Sequence, residues 1–131
     1  MKPGLLVVED DTDLREFLVM MLSSRGDAVG AGTGEEGVAI AESRPTDVVL
    51  LDFMLPGLRG WDLLRALHDR PAPPVIILVT GYADEKLVAE APAHGAFAVF
   101  GKPFSLDALL EKVEEAIALR RQQAAARKPS N

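Results

Sequence analysis

The chain has 131 residues, 48% of them hydrophobic, which is enough for one domain with a buried core and unlike the composition of a disordered protein. It has no cysteine, so disulfides and thiolate metal sites are excluded. Its net charge of −6 argues against a direct nucleic-acid binder, because such proteins carry a basic face.

Short apolar runs typical of strands buried on both faces recur along the chain. The weakest of them, the second, is assigned as a strand mainly because it connects two helical segments. The predicted strands are Leu5–Val8, Asp27–Ala31, Val48–Leu51, Val75–Val79 and Ala96–Phe100.

The segments between these runs have the 3.6-residue period of helices. The apolar positions of the first helix share one stripe and are Leu14, Phe17, Leu18, Met21 and Leu22. Asp13 with Glu16, and Thr33 with Glu36, have the spacing of capping boxes at the starts of the first two helices. The third predicted helix is Trp61–His68.

The fourth helix is predicted to begin near Asp84 and to turn Leu87, Val88 and Ala91 inward, with Pro92 ending or kinking it early. A long fifth helix follows a cap at Ser105 and carries its apolar residues on one face.

Five strands alternating with five helices predict parallel strands with right-handed crossovers. We therefore expect an α/β, flavodoxin-like (βα)5 three-layer sandwich with a parallel five-stranded sheet in the order 2-1-3-4-5. Residues 1–120 form the predicted domain, and residues 121–131 form a helix extension with a basic tail. The first apolar run is too short for a signal peptide and no stretch approaches the length of a membrane span, so we expect a cytoplasmic protein without membrane contact.

Polar residues cluster where the predicted strands end. Glu9 and Asp10 follow the first strand, Asp52 the third, Thr80 the fourth and Lys102 the fifth. Taken singly, each acid is more simply a helix cap, Thr80 a turn residue and Lys102 a solvated amine.

Together these residues indicate a site. In the order 2-1-3-4-5 the first and third strands are neighbours about 4.8 Å apart, so Glu9, Asp10 and Asp52 should converge. Their mutual repulsion requires a cation, and an all-oxygen set without histidine or cysteine favours Mg²⁺. With Thr80 and Lys102 close by, the pattern is typical of phosphoryl transfer to a carboxylate nucleophile.

Four motifs carry a resemblance to a known family. They are Leu6–Asp11, Leu50–Gly57, Val79–Gly81 and Lys102–Phe104. In this order they resemble the signatures of the response-regulator receiver domain, the CheY-like fold of two-component signalling. The resemblance spans about residues 4 to 120.

The resemblance implies roles for the site residues. Asp52 is the implied phosphoacceptor for a phosphoryl group from the phosphohistidine of a sensor kinase. Asp10, Asp52 and the backbone carbonyl of Met54 are implied to bind Mg²⁺, with Glu9 acting through water. Thr80 is implied to hydrogen-bond a phosphoryl oxygen and to move on activation.

Lys102 is implied to pair with the phosphate, and the Lys102–Pro103 peptide bond is implied to be cis. The implied partners are a sensor histidine kinase or phosphotransfer protein and a downstream protein. The downstream partner is expected on the face of the fourth helix, fifth strand and fifth helix. We expect a monomer or weak dimer, and a signalling switch rather than an enzyme.

Two residues differ from the family pattern at positions that affect the conformational response to phosphorylation. Val99 stands where the family usually has an aromatic residue that moves with Thr80, and Pro92 shortens the fourth helix. We therefore expect a weakened or rerouted conformational switch. Met54 and Tyr82, each two residues beyond a site residue, cannot position water as a carboxylate or amide can, so slow self-dephosphorylation is expected.

Residues outside the motifs are predicted to have no part in the chemistry of the site. Trp61 is expected to pack, and His68 and His94 to lie at helix ends on the surface. Arg120 and Arg121 are most simply favourable charges near a helix C-terminus.

Two other functional hypotheses for the motifs stay open. One is a pseudo-receiver that binds partners without being phosphorylated. The other is an aspartyl-phosphate phosphatase of the haloacid dehalogenase type, which requires a second acid where this chain has Met54.

Overall fold

A computed structural model describes residues 2–127 of the chain. In this part of the chain five parallel strands form one sheet in the order β2-β1-β3-β4-β5, as predicted. The strands are β1 Gly4–Val8, β2 Asp27–Ala31, β3 Val48–Leu51, β4 Val75–Thr80 and β5 Ala96–Gly101.

Each strand is followed by a helix, and the fourth helix is extended by a 3₁₀ turn. The helical elements of the described residues are α1 Thr12–Leu22, α2 Gly34–Ser43, α3 Gly60–His68, α4 Glu85–Glu90, the 3₁₀ turn Ala91–His94 and α5 Leu106–Arg127. Residues 128–131, which belong to the predicted basic tail, lie outside the described part. Within residues 2–127, no helix combines the length and the apolar character that crossing a membrane requires.

The sheet is buried on both faces, which makes the fold a three-layer sandwich. Leu5 and Val7 point to the core under α1 and α5, whereas Leu6 and Val8 point to the core under α2 and α3. This alternation follows from the two-residue period of a strand. Because both faces are covered, the central strands read as unbroken apolar runs rather than as alternating ones.

The N-terminus of α1 differs from the predicted capping box. The helix begins at Thr12, and the Asp11 side chain accepts a hydrogen bond from the Leu14 N–H at 3.0 Å. Asp13 and Glu16 therefore lie inside the helix, and the predicted box between them is wrong. The predicted caps Thr33 and Ser105 are confirmed, because each side chain accepts a hydrogen bond from the N–H three residues further along the chain. The fourth helix, predicted to begin near Asp84, is capped in the same way by Asp84.

Two apolar residues that were predicted to point inward are exposed. Phe17 is 39% exposed and Val88 is 48% exposed. In α1 the buried residues Leu18 and Leu22 are four positions apart, and Phe17 lies on the flank of that line. The α4 helix has only six residues, so Leu87 is its one buried position.

The early end predicted for the fourth helix is confirmed. Pro92 lies at the start of the 3₁₀ turn, and Gly95 caps this turn in the left-handed region with φ of 99°. A β-carbon at Gly95 would lie 2.6 Å from His68 Cδ2, so both the backbone and the space require glycine.

We predict that Gly95→Ala lowers the free energy of unfolding by about 1–3 kcal/mol, because it combines a left-handed φ with a steric clash. Urea denaturation measures this loss. Gly81→Ala is the matched control, since a β-carbon there meets no heavy atom within 4 Å and its φ is not left-handed. Equal stabilities of the two variants would contradict the prediction.

Candidate functional site

Strand register brings the first two polar strand ends together. Val8 of β1 pairs with Leu51 of β3, so the residues that follow, Glu9 and Asp52, leave the sheet side by side. The Asp52 N–H donates to the Val8 carbonyl at 3.0 Å and continues the ladder by one more bond. The predicted convergence at the carboxyl edge of the sheet is therefore confirmed.

The other two site residues meet at the ends of β4 and β5. Thr80 pairs with Gly101, and the Lys102 N–H donates to the Thr80 carbonyl at 2.8 Å. The Lys102–Pro103 peptide bond is cis, as the resemblance implies. Backbone pairing thus holds Thr80 and Lys102 next to each other.

An acidic cluster occupies this edge. Carboxylate oxygens of Glu9, Asp10 and Asp52 all lie within 4.8 Å of one another. Glu9 and Asp52 are only 3% and 6% exposed, whereas Asp10 faces solvent. Three carboxylates this close, two of them buried, require a nearby cation.

Lys102 supplies positive charge to this cluster. Its Nζ lies 2.6 Å from Glu9 Oε1 and 3.1 Å from Asp52 Oδ2. The sequence predicts a pairing of Lys102 with a phosphate but not this pairing with two carboxylates. Its Nζ faces Asp52, the residue expected to react, and is therefore placed to meet an anion formed there.

The charges at the site shift two pKa values. Burial raises the pKa of Glu9 above its ordinary value of 4.5, and hydrogen bonds from Lys102 and Asp11 offset that rise only in part. Burial acts to lower the pKa of Lys102, but the hydrogen bonds and charges of Glu9 and Asp52 outweigh it, so this pKa is raised. One ammonium thus faces two carboxylates and stays protonated at neutral pH.

The raised pKa of Glu9 predicts a pH dependence of stability. The folded state binds this proton more tightly than the unfolded state does, so the stability it contributes is complete below pH 4.5. That contribution is lost as the pH rises through the folded pKa. We expect Glu9→Gln to lack this loss, as measured by urea denaturation in EDTA across the acidic range. Parallel pH profiles for the two proteins would contradict the prediction.

Backbone amides orient the side chains of Asp52 and Thr80. Asp52 Oδ1 accepts from the Met54 N–H at 2.9 Å, and Thr80 Oγ1 accepts from the Tyr82 N–H at 3.2 Å. The side chains of Asp52 and Thr80 are therefore held in turns that follow their strands. The role implied for the Met54 carbonyl stays a prediction.

Two supports of Glu9 were missed by the sequence argument. The Asp11 N–H donates to Glu9 Oε2 at 3.0 Å, and the Arg15 guanidinium donates to the Glu9 carbonyl at 2.7 Å. The signal available was weak, because an arginine in the first turns of a helix most often faces solvent. The only signal in the sequence was that Arg15 lies one helical turn after three consecutive acids.

Val99 lies away from these polar contacts. It pairs with Leu78 across β4 and β5 and packs, partly buried, against the core under α2 and α3. The weakened or rerouted switch expected from this residue stays a prediction.

Comparison with known proteins identifies the family. The profile of the "Response regulator receiver domain" matches residues 5–114. The chain is 36% identical over 117 residues to the C4-dicarboxylate transport transcriptional regulatory protein DctD of Pseudomonas aeruginosa, covering 88% of this chain and 25% of that protein. It is 34% identical over 114 residues to the transcriptional regulatory protein PdtaR of Mycobacterium tuberculosis, covering 86% and 55%. The chain thus spans from a quarter to about half the length of these curated relatives.

Solved structures agree with this result. A CheY-like response regulator receiver domain protein from Methanospirillum hungatei superimposes with a TM-score of 0.80 at 30% identity, covering 94% of this chain and 99% of that one. A response regulator receiver domain protein from Clostridium thermocellum gives 0.83 at 27% identity, covering 92% and 98%. With its profile match, its relatives and its strand-end site, the chain belongs to the response regulator receiver domain family of two-component signalling.

Proposed function

We propose that this chain is a phosphoacceptor: it receives a phosphoryl group on Asp52 from the phosphohistidine of a sensor kinase or phosphotransfer protein and thereby changes its protein contacts. The observation that carries the proposal is the surroundings of Asp52. Its buried carboxylate lies within 4.8 Å of two further carboxylates and 3.1 Å from an ammonium. Such a site holds both a nucleophile and the positive charge that a transferred phosphoryl group requires.

The transfer itself is a displacement at phosphorus. An oxygen of the ionised Asp52 carboxylate bonds to phosphorus, and the bond between phosphorus and the imidazole nitrogen breaks. That nitrogen keeps the electron pair, and the proton on the other ring nitrogen makes the leaving group neutral imidazole. The Lys102 ammonium is close enough to leave Glu9 and Asp52 for the oxygens of the new phosphate. The Thr80 hydroxyl, at the end of the neighbouring strand, offers a further hydrogen bond to them.

The donor set fits a hard divalent cation. Asp10 and Asp52, with Glu9 acting through water and the Met54 carbonyl as a further ligand, offer only oxygen atoms, which Mg²⁺ prefers. Bound Mg²⁺ neutralises charge on the phosphoryl oxygens. Because Lys102 already pairs with Glu9 and Asp52, the exposed carboxylate of Asp10 is the one most available to an incoming ion.

We predict that Asp10→Ala abolishes the rise in melting temperature that Mg²⁺ produces, because binding to the folded state alone is stabilising. In EDTA the same variant should differ from the parent by less than about 0.5 kcal/mol, since Asp10 is exposed. Thermal melts in MgCl₂ and in EDTA make the comparison. Asp13→Ala, which removes an exposed acid outside the cluster, should keep the full Mg²⁺ effect. Retention of that effect by Asp10→Ala would refute the assignment.

A small acyl phosphate donor with Mg²⁺ or with EDTA, followed by intact mass, tests the proposed function. We expect one phosphoryl adduct that requires Mg²⁺. Continuous release of phosphate from the donor without an adduct would favour the phosphatase. Absence of both adduct and turnover would favour the pseudo-receiver.

We infer that the chain acts as a switch and catalyses only its own phosphorylation and a slow dephosphorylation. Met54 and Tyr82 are exposed, and neither side chain is a carboxylate or an amide that could position water for attack on the phosphoryl group. The downstream partner is proposed to bind the face of α4, β5 and α5, where Val88 and Phe97 are exposed. A cytoplasmic location and a monomeric or weakly dimeric state stay predictions.

A further inference from the structure

Three aromatic rings form a continuous contact beside the site. Phe53, the residue directly after Asp52, meets Trp61 edge-on with ring centroids 4.7 Å apart. Trp61 in turn stacks on His94 with centroids 4.0 Å apart and planes 8° apart. We name Phe53, Trp61 and His94 the aromatic stack. Its two ends lie on different elements, the loop after β3 and the 3₁₀ turn after α4.

The first end is tied to the Asp52 carboxylate. The Met54 N–H donates to Asp52 Oδ1, so the peptide that follows Phe53 is bonded to the reacting side chain. The Phe53 carbonyl accepts from the Gly60 N–H at 3.1 Å, and the Phe53 ring lies over Gly60, where a β-carbon would be 3.4 Å away. A change in the bonding of Asp52 therefore acts on the peptide next to the Phe53 ring, which packs against Gly60 and Trp61.

The second end, His94, is connected to α4 and β5, which belong to the face proposed to bind the downstream partner. His94 is the last residue of the 3₁₀ turn, which continues from α4 without a break and leads through Gly95 into β5. The turn is buried at Ala91 in the same core that Phe53 and Trp61 join. The His94 ring therefore lies on the segment that joins the end of α4 to β5.

We propose that the aromatic stack couples the state of the Asp52 carboxylate to the position of the 3₁₀ turn and α4. The coupling deepens the proposed function, since it describes how phosphorylation of Asp52 reaches the rest of the domain. Val99, on β5, has no ring that could carry such a displacement, whereas the aromatic stack offers a continuous one. His94, which the sequence argument placed on the surface without a role, is on this basis a positioning residue.

Packing alone is the simpler explanation of a partly buried tryptophan, and it makes a different prediction. If Trp61 and His94 only fill space, then loss of the His94 ring lowers stability but leaves the response of α4 to Asp52 unchanged. If the stack couples the two regions, loss of the ring weakens the response. The two cases are separated by amide chemical shifts, which report local structure independently of global stability.

The first experiment uses a mutation at the site and needs no phosphorylation. Asp52→Ala removes the acceptor of the Met54 N–H, and we expect it to shift the amide resonances of Ala91 and of Ala93–Gly95, since Pro92 has no N–H. Loss of one aromatic pair changes an equilibrium constant by roughly 2- to 10-fold. The chemical-shift changes that Asp52→Ala produces should therefore be at least about twofold smaller in the His94→Ala background than in the parent. His94→Phe keeps a ring and should restore them.

His68→Ala is the matched control. It removes the other histidine, which lies against Gly95 but outside the aromatic stack, and it should leave the response intact. An undiminished response in His94→Ala, or an equal loss in His68→Ala, would overturn the proposal.

A second experiment adds the acyl phosphate donor and Mg²⁺ and follows the amides of α4, with intact mass recording the adduct. An adduct whose α4 shifts fall at least about twofold in His94→Ala and return in His94→Phe supports both the coupling and the proposed function. An adduct with α4 shifts that do not depend on His94 overturns the coupling alone. Absence of any adduct overturns the proposed function, and the Asp52→Ala experiment then decides the coupling by itself.

Discussion

Lys102→Ala is expected to lower the free energy of unfolding in EDTA by about 2 kcal/mol. Removal of the ammonium leaves Glu9 and Asp52 buried and facing each other, and breaking a buried ion pair costs about 3–5 kcal/mol. The expected loss is smaller because the Lys102 side chain is 26% exposed and solvent screens part of the interaction. Urea denaturation of the variant and its parent measures it.

Mg²⁺ should reverse much of this loss and should bind the variant more tightly than the parent, because the ion no longer competes with Lys102 for the same carboxylate oxygens. Lys112→Ala is the control, since Lys112 also pairs with a glutamate at 3.1 Å but on the surface of α5. Its effect should be below about 0.5 kcal/mol. If Lys102→Ala is equally mild and gains no Mg²⁺ dependence, Lys102 is not the counter-ion of the cluster.

Asp52→Asn is expected to abolish the phosphoryl adduct completely. The amide keeps the shape and can still accept the hydrogen bond from the Met54 N–H through Oδ1, but it has no anionic oxygen to attack phosphorus. Intact mass after incubation with an acyl phosphate and Mg²⁺ gives the yield directly. Thermal melts should show that the variant is folded, so that the loss reflects chemistry.

Asp62→Asn provides the matched comparison for this substitution. Asp62 lies in the first turn of α3, pairs with Arg65 and is largely exposed, so its amide variant should form the adduct at the rate of the parent. An adduct on Asp52→Asn of similar yield would place the phosphoacceptor elsewhere.

The acidic cluster was predictable from the sequence because backbone rules determine where its residues lie. The first residue after a buried parallel strand lies at the carboxyl edge of the sheet. Neighbouring parallel strands end at this same edge. The pairing of Val8 with Leu51 therefore brings Glu9 and Asp52 together before any side chain is considered. The caps Thr33 and Ser105 were predictable for a similar reason, since capping is local.

The remaining features depend on side-chain contacts between distant elements. Lys102 and Glu9 are 93 residues apart in the sequence. From the sequence alone, a lysine at a strand end is equally consistent with a solvated surface amine and with a counter-ion of the acids. The stacking of Trp61 on His94 depends on how α3 meets the 3₁₀ turn, which no local pattern encodes. Phe17 was misplaced because hydrophobic period identifies a helix but does not give the width of its buried stripe.

Reductive trapping of the acyl phosphate tests the central claim most directly. After incubation with the donor and Mg²⁺, borohydride reduces an aspartyl phosphate to homoserine, and peptide mass spectrometry locates the reduced residue. We expect homoserine at position 52 and at no other acid, with none formed in EDTA. Homoserine at Glu9, Asp10 or any other carboxylate, or none in a protein that retains its fold, would contradict the assignment of Asp52 as the phosphoacceptor.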